Sequence, residues 1–131
     1  MSSCGGYDLP RGRVLLAEDE PMIRMLLELA LQEVGLDVWS AKDGADALRI
    51  LEETSFDVLL LDYLMPGMTG LELSARVRRA NPDLPIALIS GSAALLTNDE
   101  ITAAGITRTF AKPFDINDLI GWIESVLPGC A

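Results

Sequence analysis

An uninterrupted apolar run, residues 58–61, stops at the carboxylate of Asp62, and a turn containing Pro66 and Gly67 follows. A short apolar run bounded by turn residues is typical of a strand that is buried on both faces. In sheets built from such strands, ligands bind just beyond the carboxyl ends. Asp62 is therefore predicted to lie at the rim of a crevice, although a lone Asp at such a point is more often a cap for the turn or helix that follows.

The same alternation of apolar runs and helical segments recurs along the chain. Pro21 suits the first turn of a helix, and Gly35 suits its end. The predicted strands cover residues 14–17, 38–41, 57–61, 85–89 and 107–111, and the predicted helices cover 21–34, 45–53, 70–80, 92–104 and 115–127. Because parallel strands need crossover connections, five strands alternating with five helices predict an α/β fold, a doubly wound parallel sheet covered on both faces.

Apolar stripes predict which side of a helix faces the sheet. The core stripe of the first helix comprises Ile23, Leu26, Leu27, Ala30, Leu31 and Val34. A second apolar stripe beside it comprises Met22, Met25 and Leu29. Part of this second stripe should face solvent, because a helix lying on a sheet cannot bury its whole circumference. The core face of the last helix, which Asp115 should cap, comprises Ile116, Leu119, Ile120 and Ile123, and Trp122 falls off that face.

Length and charge limit the possible functions. The 131 residues fit one domain, predicted over residues 13–127, with a flexible tail at 1–12 and a short tail at 128–131. The net charge of −10 disfavours binding to nucleic acid or an anionic membrane and favours divalent cations. With no membrane-spanning run and no recognisable signal peptide, the cytoplasm is the expected compartment. Cys4 and Cys130 would be reduced there and have no C-x-x-C or His partner.

Polar side chains follow four of the predicted strands, and the parallel topology brings those strand ends to one edge. They are Glu18, Asp19, Asp62, Ser90 and Lys112. Each alone could be a solvated or turn residue. Clustered carboxylates repel one another unless protons or a metal offset their charge, and Mg²⁺ commonly joins one or two carboxylates to a phosphoryl group. Phosphoryl transfer requires an acceptor, a metal ion and a cationic side chain. Asp62, the Glu18-Asp19 pair and Lys112 match these three roles, so the cluster predicts phosphoryl transfer.

The motifs together resemble the receiver domain of two-component response regulators, the CheY-like family, over residues 13–127. The resemblance rests on the Glu18-Asp19 pair, the D-x-x-M-P-x-M-x-G pattern that starts at Asp62, the Ser90-Gly91 step and the Lys112-Pro113-Phe114 sequence. It implies strand order 2-1-3-4-5 and a regulatory domain that assists only its own phosphorylation and dephosphorylation. It also implies that Asp62 accepts a phosphoryl group from phosphohistidine.

The resemblance assigns further roles around Asp62. Mg²⁺ would be held by Glu18, Asp19 and Asp62 together with the carbonyl of Leu64. Lys112 would contact the phosphoryl group, Ser90 would close on it, and the bond between Lys112 and Pro113 would be cis. One departure stands out: the family usually has an aromatic residue three positions before the lysine, where this chain has Thr109 followed by Phe110.

The partners implied are a histidine kinase or histidine phosphotransfer protein and a downstream protein, with a homodimer left open. Family members commonly bind such partners through the first helix, so Met22, Met25 and Leu29 are the predicted contact surface, with Trp122 as a second candidate. Three alternatives remain: a receiver module of a hybrid histidine kinase, an aspartyl-phosphate hydrolase and a flavodoxin-like binder. A hydrolase should have Asp where Leu64 stands, and the acidic residues 18–20 would repel a flavin phosphate.

Overall fold

The structure, a computed structural model, describes residues 12–91 and 96–127. The strands are β1 (Arg13–Ala17), β2 (Asp37–Ala41), β3 (Val58–Asp62), β4 (Ile86–Ser90) and β5 (Arg108–Ala111). The helices are α1 (Pro21–Glu33), α2 (Gly44–Glu53), α3 (Gly70–Ala80), α4 (Asn98–Ala103) and α5 (Ile116–Val126). All strand pairs are parallel and the order is β2-β1-β3-β4-β5, so the predicted doubly wound sheet is confirmed. Within the described ranges no helix is long and apolar enough to cross a bilayer.

Two cores lie on opposite faces of the sheet, because side chains alternate along each strand. Leu15, Leu59 and Leu61 point to the face covered by α2 and α3, whereas Leu16 and Leu60 point to the face covered by α1 and α5. All five residues of β3 are buried, as expected for the central strand of a parallel sheet. Asp62 is therefore the last residue of the buried central strand.

Local capping explains where several helices begin. Asp43 caps α2, since its carboxylate accepts a hydrogen bond of 2.8 Å from the backbone N–H of Asp46. Thr69 and Glu72 form a reciprocal capping box at the start of α3. The predicted cap of α5 is confirmed, because Asp115 accepts a 2.8 Å hydrogen bond from the N–H of Asn117. These caps fix the points at which the chain turns back from the strand ends.

Three predictions about helices need correction. α4 begins at Asn98, because Thr97 caps it by accepting a hydrogen bond from the N–H of Glu100, which places Thr97 before the helix. Residues 92–95 of the predicted helix lie outside the described ranges. Leu26, assigned to the core stripe, is 60% exposed, since the face that α1 turns to the sheet is narrower than the apolar arc. Trp122 is not off the core: its ring packs edge-on against Phe110 at 6.1 Å, because β5 is an edge strand that α5 covers.

The described part of the chain begins at Gly12. The carbonyl of Gly12, which was predicted to belong to the flexible tail, accepts a 2.9 Å hydrogen bond from the N–H of Asp37. Gly12 is therefore held to the start of β2 by a backbone hydrogen bond. Cys4 and Cys130 lie outside the described residues.

Gly70 provides a stability test at the junction between β3 and α3. A Cβ at this position would lie 2.7 Å from the backbone oxygen of Asp62 and 2.7 Å from a methyl group of Leu88. We expect Gly70→Ala to lower the free energy of unfolding by about 1–3 kcal/mol, measured in urea, because the backbone and core must shift. The matched control is Gly121→Ala on α5, where nothing lies within 4 Å of the added Cβ and a helical alanine should stabilise. A Gly70→Ala variant that is also stabilised would contradict the packing described.

Candidate functional site

Three carboxylates meet at the carboxyl edge of the sheet. Glu18 and Asp19 follow β1, and Asp62 is the last residue of the adjacent strand β3. One carboxylate oxygen from each lies within 4.8 Å of the other two. Glu18 and Asp62 are buried, with 2% and 6% of their surface exposed, while Asp19 is exposed. The cluster is therefore closed on the protein side and open to solvent through Asp19.

Lys112 follows β5 and reaches this cluster from two strands along the sheet. Its Nζ lies 2.9 Å from Oδ1 of Asp62 and 4.0 Å from Oε1 of Glu18. The backbone N–H of Lys112 donates a 3.0 Å hydrogen bond to the carbonyl of Ser90, and the peptide bond to Pro113 is cis, as the resemblance implied. Burial lowers the pKa of Lys112, but the hydrogen bond to Asp62 and the surrounding carboxylates outweigh it, so the net pKa is raised. The ammonium is therefore charged at neutral pH.

The pKa of Glu18 is raised by its burial and by the neighbouring carboxylate of Asp62. Burial, followed by the negative charge of Asp62, raises the pKa of Glu18 from 4.5 to about 7. The backbone N–H of Glu20, which donates a 3.2 Å hydrogen bond to Oε2 of Glu18, and the charge of Lys112 offset only part of this rise. One ammonium does not neutralise three carboxylates, so the site favours binding either a proton or an additional cation.

Ser90 and Leu64, the two other predicted site residues, lie near Asp62 in the strand register and along the chain. Ser90 is the last residue of β4 and is 3% exposed, and the pairing of Asp62 with Ile89 places it one residue beyond Asp62 on the neighbouring strand. Leu64, two residues after Asp62, is 64% exposed. A buried hydroxyl thus follows the partner of Asp62 on the neighbouring strand, and an exposed apolar side chain follows Asp62 two residues along the chain.

The second apolar stripe of α1 is exposed as predicted. Met22, Met25 and Leu29 have 66%, 51% and 58% of their surface exposed, and Leu26 joins them. The stripe begins three residues after Asp19. An apolar groove continues from it toward α5, lined by Ile23, Leu26, Leu27, Ala30, Phe114 and Ile116. Trp122, by contrast, packs against the core and does not belong to this surface.

Arg24 is a site neighbour that the sequence reasoning missed. Its Nη1 donates a 2.8 Å hydrogen bond to the backbone carbonyl of Glu18. The available signal was that Arg24 is the only basic residue in α1 and follows the acidic pair within two helical turns. Sequence alone does not show which acceptor a surface arginine reaches.

Fold and site together define an α/β domain with a cluster of three carboxylates and one lysine at the strand ends. Residues 14–124 match the family described as the response regulator receiver domain. The chain is 40% identical over 115 residues to the response regulator receiver protein CpdR of Brucella abortus, covering 88% of this chain and 96% of that protein. The structure is similar to that of the response regulator TrrA from Thermotoga maritima in complex with Mg²⁺-BeF, with a TM-score of 0.81 and 30% identity. The match covers 88% of this chain and 98% of TrrA.

The chain belongs to the family of response regulator receiver domains and is a signalling domain of two-component systems. It also resembles the DNA-binding transcriptional regulator NtrC of Escherichia coli, at 33% identity over 91% of this chain, but spans only 25% of that protein. The domain therefore corresponds to nearly the whole of one relative and to a quarter of another.

Proposed function

We propose that Asp62 is the phosphoacceptor of this domain and takes its phosphoryl group from a phosphohistidine of a histidine kinase or histidine phosphotransfer protein. The observation that carries the proposal is Lys112 Nζ at 2.9 Å from Asp62 within the cluster of three carboxylates. An oxygen of Asp62 attacks phosphorus and the bond from phosphorus to the imidazole nitrogen breaks. The donor ring carries a proton on its other nitrogen, so the histidine leaves as neutral imidazole. The proposed compartment is the cytoplasm.

The donor atoms of the cluster fit Mg²⁺. They are all oxygens and they lie within 4.8 Å of one another. The pKa of Glu18 is raised by burial first and then by the negative charge of Asp62, and a divalent cation would offset that charge. We propose that the carboxylates of Glu18, Asp19 and Asp62 and the carbonyl of Leu64 hold the ion. When bound, Mg²⁺ supplies positive charge to the phosphoryl oxygens in the transition state.

The other site residues orient and recognise the phosphoryl group. Lys112 already pairs with Asp62, and its ammonium can move from the carboxylate to a phosphoryl oxygen as charge develops there. Ser90 can donate its hydroxyl to another phosphoryl oxygen. Because Ser90 ends β4, a hydroxyl drawn toward the phosphoryl group would shift the backbone that follows, which gives phosphorylation a structural consequence.

The switch proposed here does not use an aromatic residue on β5. Thr109 and Phe110 point to opposite faces of the sheet, as successive strand residues do. The Phe110 ring packs with Phe114 and Trp122 on the face covered by α1 and α5. Phe110 is therefore not a substitute for an aromatic side chain at position 109, and the movement at Ser90 must act on the downstream partner without one. A homodimer is one form that this output can take.

Incubation with acetyl phosphate tests the proposal without the unidentified kinase. With Mg²⁺ present, the intact mass should increase by one phosphoryl group, because acetyl phosphate carries a transferable phosphoryl group and the domain supplies the acceptor. With a chelator present, the increase should disappear. Labelling that is independent of Mg²⁺, or no labelling at all, would contradict the proposed chemistry.

We also propose that the exposed stripe Met22, Met25 and Leu29 is the contact surface for the phosphohistidine donor, since it adjoins the acidic pocket and is adaptable in shape. Met25→Glu should slow transfer from a phosphorylated histidine phosphotransfer protein by about tenfold or more, because it places a charge in an apolar contact. Labelling by acetyl phosphate should be unchanged. Gln32→Glu adds the same charge to an exposed position of α1 and is the control. The proposed surface would be contradicted if Gln32→Glu slowed transfer as much as Met25→Glu does. It would also be contradicted if Met25→Glu slowed labelling by acetyl phosphate as much as transfer from the phosphotransfer protein.

A further inference from the structure

The turn between β1 and α1 carries two of the three carboxylates but lacks the usual helix-start contacts. Glu20, the N-cap of α1, makes no side-chain capping bond, and the first turn contains no acidic residue. Pro21 has no N–H to donate. The position of Glu18 and Asp19 must therefore be fixed by other contacts.

Arg24 supplies two of those contacts. Its backbone N–H donates a 3.0 Å hydrogen bond to the carbonyl of Glu20, which is the first helical bond of α1. Its guanidinium donates a 2.8 Å hydrogen bond to the carbonyl of Glu18. A hydrogen bond from a charged donor is stronger than one between neutral groups. Arg24 therefore ties the start of α1 to the backbone on both sides of Asp19.

The bond from Arg24 does not depend on the carboxylate oxygens. The other contact within the turn, from the N–H of Glu20 to Oε2 of Glu18, uses an oxygen that a bound cation would also attract. The backbone N–H of Glu18 is bonded to the carbonyl of Ala41, which holds the start of the turn to the sheet. Arg24 can thus keep the turn in place whether or not the carboxylates are engaged.

We propose that Arg24 is a positioning residue for the cation site: by bonding to the carbonyl of Glu18 it holds Glu18 and Asp19 in the geometry that binds Mg²⁺. This inference rests on the proposed function, because it assumes that the three carboxylates bind the ion. Outer-shell partners that orient metal ligands typically contribute about 10- to 100-fold to metal affinity. Arg24 acts through a backbone carbonyl, so the lower end of that range applies.

The test compares Mg²⁺ binding by the wild-type protein with that by Arg24→Met and Arg24→Lys, using isothermal titration calorimetry. Methionine has a similar helix propensity and removes the donor, whereas lysine keeps one charged donor. We expect the dissociation constant to rise about tenfold in Arg24→Met. The dissociation constant of Arg24→Lys should lie between those of Arg24→Met and the wild type. The control is Arg49→Met, which removes a positive charge from an exposed position on α2.

Acetyl phosphate labelling as a function of Mg²⁺ concentration gives the second readout. For Arg24→Met the half-saturating concentration should rise about tenfold while the maximal rate stays within about twofold, because the acceptor and Lys112 are untouched. An unchanged dissociation constant, or an equal rise in Arg49→Met, would overturn the role of Arg24. If Arg24→Met does not fold, the dissociation constant of Arg24→Lys for Mg²⁺ provides the test. A value equal to that of the wild type would overturn the proposal. A wild-type protein that neither binds Mg²⁺ nor becomes labelled would overturn the proposed function as well.

Discussion

Asp62→Asn should abolish phosphoryl incorporation, with the rate of labelling by acetyl phosphate falling on the order of a hundredfold or more. An amide oxygen is a poor nucleophile, and no covalent bond to phosphorus can form at position 62 without the carboxylate. The fold should survive, because asparagine has the same shape and its oxygen can still accept the 2.9 Å hydrogen bond from Lys112. Intact mass spectrometry against time measures the effect.

The control for this experiment is Asp43→Asn. Asp43 also lies at the start of a helix after a strand, but it caps α2 and does not belong to the carboxylate cluster. Asparagine caps helices as well as aspartate does, so labelling should proceed at the wild-type rate. If Asp62→Asn were labelled as fast as Asp43→Asn, Asp62 could not be the acceptor.

Glu18→Gln should stabilise the protein without metal at alkaline pH. The folded-state pKa of Glu18 is raised from 4.5 to about 7, so its protonated form favours folding below pH 4.5, and that contribution is lost as the pH rises through 7. A shift of this size corresponds to about 3 kcal/mol at most. The neutral glutamine does not titrate. We therefore expect a gain of about 1–3 kcal/mol in unfolding free energy at pH 8 with a chelator present, and little gain at pH 4.5.

Mg²⁺ should reverse the order of stability of the wild type and Glu18→Gln, because a cation that binds the folded state stabilises it by an amount that grows with the logarithm of its concentration relative to its dissociation constant. The wild type should gain stability at pH 8 when Mg²⁺ is added, and Glu18→Gln should gain much less. Urea unfolding at both pH values, with and without Mg²⁺, measures the effect. Glu52→Gln, which neutralises an exposed glutamate on α2, is the control and should follow the wild type. A Glu18→Gln variant that is no more stable than the wild type at pH 8 without metal would contradict the cost assigned to burying the Glu18 carboxylate beside Asp62.

The sheet and the position of Asp62 were predictable from the sequence because each rests on a local pattern. Residues 58–61 are continuously apolar, and the strand they predict is buried on both faces in the structure. Parallel topology alone then brings Lys112 to Asp62 across 50 residues of chain. Strand ends were predicted to within one residue, and both Asp62 and Ser90 prove to be the last residues of their strands.

What the sequence could not supply depends on tertiary packing. Helical spacing places Leu26 and Leu27 on overlapping arcs, and only the angle at which α1 lies on the sheet decides that Leu27 is buried and Leu26 is exposed. Trp122 is partly buried because its ring packs against Phe110 on the edge strand β5. The raised pKa of Glu18 likewise depends on distances between side chains that no spacing rule contains.

Chemical trapping of the phosphorylated residue identifies the phosphoacceptor directly. Borohydride reduces an acyl phosphate to an alcohol, so it converts a phosphorylated aspartate to homoserine and leaves free carboxylates unchanged. The wild-type protein would be labelled with acetyl phosphate and Mg²⁺, reduced, digested and sequenced by mass spectrometry. The account predicts homoserine at position 62 and nowhere else. Reduction at Glu18 or Asp19, or unmodified aspartate at position 62 in labelled protein, would contradict it.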